Sequence, residues 1–434
     1  MECHIQIFLD GRWETAAIFE PDRHTLDSGI AGGGCLQYDI DYAVAHLGSE
    51  AAELYPGLTV GFELHRFAQW PPFLIDLMPG GAGRRAWLGR MQAESDGPQM
   101  DWPMLTKGGG TPPGNMRIAE AVLPPPPNRF KTGFPRRDII EQREYFLDYA
   151  EERGAHVAGA SSVQGEAPKY LLAEDYSGMF HAEGSLPDEN VKKFWLAKFP
   201  RGRRSDKRNQ QVLRNEAPYL EVARAFGVRT GAPLVYEDDV LFVPRFDRRF
   251  INGKVERVAM HSLYVVADIP GHGVPVHQDT YCRALANAVT DPGRELREFI
   301  RRDILNLALR NTDNHGRNTA ILRTSGEVGL SPLFDFAPMF LDPEGIGRVS
   351  RWEDEQPGSQ PEWAAICEKM KSYLTPIETR EWVADMAESV KQLPETMRVC
   401  KVDDDIIDRL AGWIDEVAAG LSAARPKTKK QEKR

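Results

Sequence analysis

The strongest constraint on the fold comes from the eight residues NTDNHGRN at positions 311–318, called the polar loop below. The apolar run DILNLALR immediately precedes this loop, and its spacing predicts a buried helix. The sequence after it, TAILRTSGEVGLSPLFDF, predicts a β-hairpin that ends near Asp335. A fold for this chain must therefore join a helix, a polar loop and a hairpin, and must place Asp313 and Asn318 between them.

The rest of the chain divides into regions with different patterns. Strand-like apolar runs with one amphipathic helix between them occupy residues 155–247, and helix patterns dominate after about residue 258. HIQIFLDGRWETAAIFE near the start predicts two strands around an Asp-Gly turn, and residues 137–154 predict a single helix. Residues 102–138 are rich in proline and glycine and are expected to form neither a helix nor a central strand, because proline lacks the backbone donor.

Length and composition exclude several classes of protein. A chain of 434 residues is long enough for two or three domains, and its net charge of −10 argues against direct nucleic-acid binding. The five cysteines form no CxxC pair, which indicates reduced thiols rather than a zinc site. The sequence predicts no secretory signal and no membrane span, so a cytoplasmic protein is expected. Residues 425–434 predict a basic, disordered tail.

The polar loop and Asp335 together have the groups that phosphoryl transfer from ATP requires. The reaction needs a carboxylate to orient and deprotonate the acceptor hydroxyl, and oxygen ligands for the Mg²⁺ that neutralises the phosphates. Asp313 and Asn318 are five residues apart, as are the Asp and Asn of the protein-kinase motif HRDxxxxN. This spacing predicts Asp313 as the catalytic base, with Asn318 and Asp335 as the magnesium ligands.

A purely structural interpretation of the polar loop remains open at this stage. Asn311 and Asp313 are residue types that often cap helices. His315 is interpreted as a positioning residue in the catalytic group, because a carboxylate nearby is better placed to act as the base. The position of Asp335 after the hairpin favours the catalytic interpretation over the capping one.

Three further stretches predict a nucleotide site. In GASSVQGEAPKYLL, small residues before a strand would allow backbone amides to approach phosphates, although an ordinary Gly-Ser hairpin is the alternative. Lys198 in FWLAKFP is placed like the kinase lysine that holds the α- and β-phosphates, and Glu216 is its natural ion-pair partner. The candidate nucleotide-binding residues are Ser162, Val163, Gln164, Gly165, Lys169, Lys198, Pro244, Phe246, Asp247 and Asn318.

The stretch VLFVPRFDRRF, residues 240–250, is expected to join two lobes. Backbone groups of Pro244 and Phe246 would contact the adenine there, and proline can offer only its carbonyl. Asp247 is the expected acceptor for the ribose hydroxyls.

These observations predict an α+β, two-lobed, protein-kinase-like fold with an added N-terminal subdomain. The strand-rich lobe precedes the mostly helical one, as in protein kinases. The predicted parts are an N-terminal subdomain at 1–101, a connecting segment at 102–138, a strand-rich lobe at 139–247, a helical lobe at 248–424 and a tail at 425–434.

The motifs SVQGEAPKYLL, AKFP, RNE, RFDRR, TDNHGRN and LSPLFDF occur here in the order found in the HipA family, which the chain resembles over nearly its whole length. That family comprises serine/threonine kinase toxins of bacterial type II toxin–antitoxin systems. LDG, YDIDY and LIDLMPGG resemble divergent versions of its N-terminal domain. We expect a divergent or stand-alone member of this family.

The resemblance implies specific roles for several residues. It implies Asp313 as the catalytic base, Asn318 and Asp335 at Mg²⁺, and Lys198 on the ATP phosphates. It also implies autophosphorylation of Ser162, with Ser161 as an adjacent acceptor. A phosphate on Ser162 would repel the ATP phosphates and switch the kinase off.

Three functions remain open from the sequence. The first is a protein kinase toxin whose substrate is a translation-related protein such as an aminoacyl-tRNA synthetase, with a helix-turn-helix antitoxin as a possible partner. The second is a small-molecule or lipid-type kinase, since such folds use the same Asp, Asn and Asp. The third is a nucleotide-binding regulator without transfer activity.

Overall fold

The computed structural model describes residues 1–126, 132–153, 168–200, 207–271, 273–324, 326–356 and 358–426. Within these residues the chain forms an N-terminal body and two lobes. No helix among them is long and apolar enough to cross a membrane. The predicted basic tail lies outside the described residues from position 427 onward.

The N-terminal body is built on a five-stranded antiparallel sheet with the strand order β4-β3-β2-β1-β5. Asp10 and Gly11 both have positive φ in the turn between the first two strands, which confirms the predicted Asp-Gly hairpin. The elements of this body are β1 Cys3–Leu9, β2 Arg12–Pro21, β3 Gly34–Tyr38, α1 Ile40–His46, β4 Leu64–Phe67, α2 Pro72–Leu77, α3 Gly81–Arg90, α4 Asp101–Gly108 and β5 Met116–Ile118.

The Pro- and Gly-rich segment is more ordered than the sequence suggested. We expected no helix between residues 102 and 138, yet α4 lies largely within this segment. Pro103 falls in the first turn of α4, where a missing N–H leaves no intrahelical hydrogen bond unmade. β5 pairs with β1 at the edge of the sheet, and Ile118 and Ala121 are part of the body's buried core. The N-terminal body therefore continues past residue 101.

The smaller lobe contains a second antiparallel sheet with the strand order β7-β6-β8-β10-β9. The single helix predicted over residues 137–154 is two helices, because Gln142 adopts a positive φ and interrupts the helical backbone. The elements are α5 Arg136–Ile140, α6 Glu144–Glu152, β6 Lys169–Asp175, β7 Phe180–Ala182, β8 Val191–Lys198, α7 Lys207–Ala225, β9 Val235–Glu237, β10 Val240–Pro244 and the two-stranded ribbon β11 Arg248–Ile251 and β12 Lys254–Arg257.

The helical lobe begins with a strand that pairs with the predicted hairpin, so its sheet has the order β13-β14-β15. The polar loop connects α10 to the central strand of this sheet. The elements are β13 Ala259–Ser262, α8 Leu263–Val266, α9 Gln278–Ala288, α10 Pro292–Ala308, β14 Ala320–Thr324, β15 Glu327–Leu330, α11 Trp363–Lys369, α12 Pro376–Lys391, α13 Leu393–Val399 and α14 Asp404–Ala423.

Helix α7 belongs to both lobes. It follows the smaller lobe's strand β8 in the chain, but Tyr219, Val222 and Ala223 are buried in the same apolar cluster as Leu305 and Leu309 of the helical lobe. Burial of these side chains fixes the helix against the helical lobe. A residue on α7 is therefore held in a constant position relative to the polar loop.

A buried charge network ties the N-terminal body to the end of β10. Residues 111–115, which we call the strap, run across this point. Arg248 donates to the carbonyl oxygens of Pro112 (3.2 Å) and Gly114 (2.6 Å) in the strap. Its guanidinium also pairs with the carboxylates of Glu183 and Asp247. Burial lowers the pKa of Arg248, and the two carboxylates oppose this effect.

Replacing Arg248 with glutamine should destabilise the fold strongly. The change leaves Glu183 and Asp247 buried with Arg245 as their remaining partner in this network, and breaking a buried pair typically costs about 3–5 kcal/mol. Chemical denaturation of the variant measures the loss. Arg249→Gln is the matched control, since this neighbouring arginine is exposed. Equal unfolding free energies for the two variants would contradict the role of the network.

Candidate functional site

A cleft between the two lobes brings together most of the described candidate residues. The smaller lobe contributes Lys169 and Lys198 to its walls, and the helical lobe contributes Asn318 and Asp335. Pro113 of the strap also lines the cleft, so all three parts of the chain contribute to it. Leucine, valine and phenylalanine side chains form much of the remaining wall, as expected for a pocket that binds a flat apolar base.

Strand pairing places two lysines side by side at the inner end of the cleft. Lys169 on β6 lies directly opposite Lys198 on β8. Like charges at opposing positions repel each other, so this pair requires a counter-charge. Asp335 supplies it from the helical lobe: its Oδ1 lies 2.6 Å from the Lys198 Nζ, and its Oδ2 lies 3.5 Å from the Lys169 Nζ.

Glu216 on α7 completes this group of charges. Its Oε1 lies 2.5 Å from the Nζ of Lys198, which confirms the ion pair expected from the sequence. Burial alone would lower the pKa of Lys198, but Asp335 and Glu216 outweigh it and raise that pKa overall. Burial likewise opposes ionisation of Asp335, yet Lys169 and Lys198 hold its pKa well below the usual range. Asp335 is therefore a carboxylate under all ordinary conditions.

The position of Asp335 depends on an unusual backbone conformation. Its φ of 54° lies in the left-handed region, which an aspartate enters at some energetic cost. The rings on either side fix it: Phe334 contacts Phe246 of the smaller lobe, and Phe336 contacts Tyr219 of α7. This packing turns the carboxylate toward the lysines.

Helix α7 is also held by polar contacts that the sequence did not reveal. Asn215, which immediately precedes Glu216, is fully buried. Its Nδ2 donates to Oδ2 of Asp403 (3.0 Å), and its Oδ1 accepts from the Asp403 backbone N–H (3.0 Å). The hydroxyl of Tyr219 donates to the carbonyl of Leu309, just before the polar loop. These bonds fix Glu216 relative to the polar loop.

The polar loop holds Asp313 and Asn318 close together. The Nδ2 of Asn318 donates to the backbone carbonyl of Asp313 (2.8 Å), which leaves the Asn318 side-chain oxygen available as a ligand. The Nε2 of His315 lies 3.3 Å from Oδ1 of Asp313. The short helical turn Gly316–Asn318 is capped by the His315 ring, which accepts from the Arg317 N–H. The capping role considered for Asp313 is thus filled by His315.

The other loop residues have structural contacts. Asn311 donates through Nδ2 to the side-chain oxygen of Asn306. The Oδ1 of Asn314 accepts from the backbone N–H groups of Val349 and Ser350, which lie beyond Asp335 in the chain. Asn314 therefore fixes that downstream segment to the polar loop.

Burial shifts the pKa values of Asp313 and His315, two titratable groups of the polar loop, in opposite directions. Burial raises the pKa of Asp313, while His315 and Lys169 oppose the rise. Burial lowers the pKa of His315 despite the nearby Asp313 carboxylate. A carboxyl group with a raised pKa is a stronger base than an exposed aspartate, and the imidazole is predominantly neutral near pH 7.

The connection between β10 and β11 contains the residues expected to bind the nucleoside. Pro244 and Phe246 line the cleft, as does Asp247. However, the Asp247 carboxylate already accepts from both Arg245 and Arg248 and from the Gly114 N–H. Three of these four N–H groups converge on Oδ2, and only the Arg245 Nε donates to Oδ1. A ribose hydroxyl at Asp247 would therefore have to bind at the remaining acceptor position of Oδ1.

The residues at the cleft fit Mg²⁺. Asn318 and Asp335 offer an amide oxygen and a carboxylate, and Mg²⁺ in phosphate-transfer sites takes one or two protein oxygens together with phosphate and water. Within the part of the chain that the structure describes, no three His, Cys, Asp or Glu side chains form a metal cluster.

The predicted phosphate loop lies outside the described residues. This applies to Ser161, Ser162, Val163, Gln164 and Gly165. Lys169, which follows them on β6, is the part of that motif found at the cleft.

Gly316 is required by the packing around the polar loop. A Cβ at this position would lie 2.5 Å from the hydroxyl oxygen of Tyr281 and 2.7 Å from Cδ1 of Tyr264. Both rings are buried and cannot move aside easily.

We expect Gly316→Ala to lower the free energy of unfolding by about 1–3 kcal/mol through overpacking. Gly412→Ala is the control, because Gly412 lies within α14 with open space around its Cβ position, and helix propensity favours alanine there. Denaturant melts of both variants test this. A Gly316→Ala variant as stable as wild type would show that the loop accommodates a side chain.

Comparisons with known proteins agree with this geometry. The model of the HipA-like C-terminal domain matches residues 161–394. The HipA protein of Shewanella oneidensis MR-1, solved with HipB and its operator DNA, superposes with a TM-score of 0.64 at 16% sequence identity, and the match covers 97% of each chain. A proinflammatory kinase of Helicobacter pylori, CtkA, matches with a TM-score of 0.34 at 11% identity over 61% of this chain and 92% of that chain, too weakly to support an argument. No curated protein sequence matches the chain.

The match to the C-terminal domain covers more than half of the chain, and the fold is shared with HipA over almost the whole of it. The predicted α+β, two-lobed architecture is thereby confirmed. The chain belongs to the HipA family and has its kinase-like fold.

Proposed function

We propose that this protein is a Mg²⁺-ATP-dependent serine/threonine protein kinase of the HipA type. One observation carries the proposal: Lys198, Glu216 and Asp335 form a continuous buried ion-pair chain at a cleft that also contains Asn318, with Asp313 of the same loop alongside. The left-handed backbone at Asp335 also supports the proposal, because strained backbone often occurs at functional sites. The pKa of Asp335 is shifted well below its usual range by the two lysines, which is common at active sites.

In this proposal each residue has a defined task. Asp313 orients the acceptor hydroxyl and takes its proton, and His315 holds Asp313 in place. Asn318 and Asp335 hold the metal, which supplies charge neutralisation of the phosphates when bound. Lys198 and Lys169, which form ion pairs with Asp335 in this structure, are the cations that would contact the ATP phosphates. Pro244 and Phe246 form the adenine end, with Asp247 at the ribose end.

Membership of the HipA family supports proposals about the regulation and the partners of this protein. Autophosphorylation at Ser162, or at the adjacent Ser161, would add about two negative charges to the predicted phosphate loop, which would oppose binding of the ATP phosphates. Because the HipA relative was solved with HipB and operator DNA, we propose an antitoxin as a partner of this chain as well. We further propose a cytoplasmic toxin whose substrate is a translation-related protein such as an aminoacyl-tRNA synthetase.

Transfer of labelled phosphate from ATP tests this function directly. We expect the purified full-length protein to label itself at Ser162, and Asp313→Asn, Asp335→Asn and Lys198→Met each to reduce labelling by at least about 10²-fold, the usual scale for loss of an acid–base group. Asp385→Asn, at an exposed carboxylate, should retain activity. Labelling of a small molecule alone would indicate a small-molecule kinase. ATP binding without any transfer would indicate a nucleotide-binding regulator.

The pH dependence of transfer should reflect the environment of Asp313. Its pKa is raised by burial, so the carboxylate is protonated at a higher pH than the value of about 3.9 usual for aspartate. We expect kcat/KM to fall on the acid side at a pH above that value. An acid limb below the usual aspartate pKa would contradict Asp313 as the base.

The raised pKa of Asp313, which favours its action as a base, lowers the stability of the folded protein near pH 7. A carboxyl group whose folded-state pKa is raised binds its proton more tightly in the folded than in the unfolded protein. Its contribution to stability is fully present below the unfolded pKa and is lost as the pH rises through the folded pKa. Asp313→Asn removes this cost. The variant should be inactive, yet at least as resistant to thermal unfolding near pH 7 as the wild type.

A further inference from the structure

The motif LIDLMPGG of the N-terminal body contains a carboxylate that contacts the polar loop. Asp76 lies on α2, whose neighbouring side chains Phe73, Leu74 and Ile75 are fully buried in the core of the N-terminal body. Its Oδ1 is 3.2 Å from the Nε of Arg317 in the polar loop. The N-terminal body thus supplies a counter-charge directly to the loop that contains Asp313 and Asn318.

Arg317 is placed to transmit this contact to the cleft. It immediately precedes Asn318, and both residues line the cleft. Its side chain is 4% exposed, so its guanidinium depends on protein partners rather than water. Besides Asp76, its Nη2 donates to the carbonyl of Gly271, and its guanidinium lies near the ring of Tyr264. Among these three contacts, Asp76 supplies the negative charge.

Asp76 is fixed by a second bond on the helical lobe. Its Oδ2 accepts from the backbone N–H of Ser262, the residue that caps α8 at the end of β13. One carboxylate therefore joins β13, which pairs with the strand after the polar loop, to the loop itself. Movement of α2 relative to the helical lobe would displace Arg317 and, with it, the adjacent Asn318.

We infer that Asp76 is a positioning residue for the metal-binding side of the cleft, acting through Arg317 on Asn318. This rests on the proposed kinase function, in which Asn318 is a Mg²⁺ ligand. The N-terminal body is then part of the catalytic unit rather than an appended partner-binding module. A partner that shifts α2 would change the Mg²⁺ dependence of the cleft without touching it.

A matched pair of variants in the full-length protein tests the inference. Asp76→Asn removes the charge with almost no change in shape. Glu53→Gln does the same at the same interface, where Glu53 of the N-terminal body lies 3.9 Å from Arg323, on β14 beyond the polar loop. Both variants should lower the melting temperature. Only Asp76→Asn should lower the kcat of phosphate transfer, by about 10–100-fold as for small misplacements of catalytic groups.

A second measurement follows the binding of a fluorescent ATP analogue while Mg²⁺ is titrated. Loss of a contact that serves only stability would leave the Mg²⁺ dependence of this binding unchanged. We expect Asp76→Asn to need several-fold more Mg²⁺ for half-maximal binding, and Glu53→Gln to match the wild type. The same Mg²⁺ dependence in both variants would overturn the inference. A wild type that transfers no phosphate would overturn the proposed function, whereas the Mg²⁺ titration would still decide the role of Asp76.

Asp76→Glu provides a second test that retains the charge. Its longer side chain keeps the pair with Arg317 but shifts it, so its Mg²⁺ midpoint should lie between those of wild type and Asp76→Asn. If Asp76→Asn does not fold, the Mg²⁺ midpoints of Asp76→Glu and the wild type are compared instead to test the role of Asp76. An unchanged Mg²⁺ midpoint in Asp76→Glu, or one as high as in Asp76→Asn, would contradict positioning through the charged pair.

Discussion

Two lysines from adjacent strands of the smaller lobe meet one carboxylate of the helical lobe, and much of the architecture serves this contact. Strand register forces Lys169 and Lys198 together, and Asp335 relieves their repulsion across the cleft. Phe334 and Phe336 hold Asp335 in a left-handed backbone conformation. Because the cations come from one lobe and the anion from the other, the ion pairs also fix the separation of the lobes.

Helix α7, which contributes Glu216 to this contact, is held firmly against the helical lobe. In a two-lobed kinase the glutamate that pairs with the phosphate-binding lysine must be in place for activity. Here Glu216 is on a helix whose apolar face is buried in the helical lobe and whose Asn215 is bonded to Asp403. Glu216 is therefore held beside Lys198 by the packing and hydrogen bonds of α7 itself.

The sequence predicted which residues lie together at the candidate site, but not the contacts that support them. Local patterns predicted the hairpin before Asp335, because its alternating apolar residues lie in one short segment. The pairing of Lys198 with Glu216 was predicted from the likeness of Lys198 to the phosphate-binding lysine of kinases. Local patterns did not reveal Asp76 beside Arg317, or Pro113 at the cleft, since such contacts join residues distant in the chain. α4 was missed because proline is tolerated in the first turn of a helix, and the break at Gln142 has no clear sequence signal.

Calorimetric titration of ATP into the full-length protein, with and without Mg²⁺, tests the central claim most directly, because it asks whether Asp335 is a metal-binding carboxylate. In the wild type, Mg²⁺ should strengthen ATP binding. In Asp335→Asn the nucleotide should still bind, since Lys169 and Lys198 are then released from the Asp335 carboxylate and Lys198 is still held by Glu216, but Mg²⁺ should no longer strengthen binding. Equal Mg²⁺ enhancement in the two proteins would show that Asp335 serves only as a structural partner of the lysines and would contradict this account.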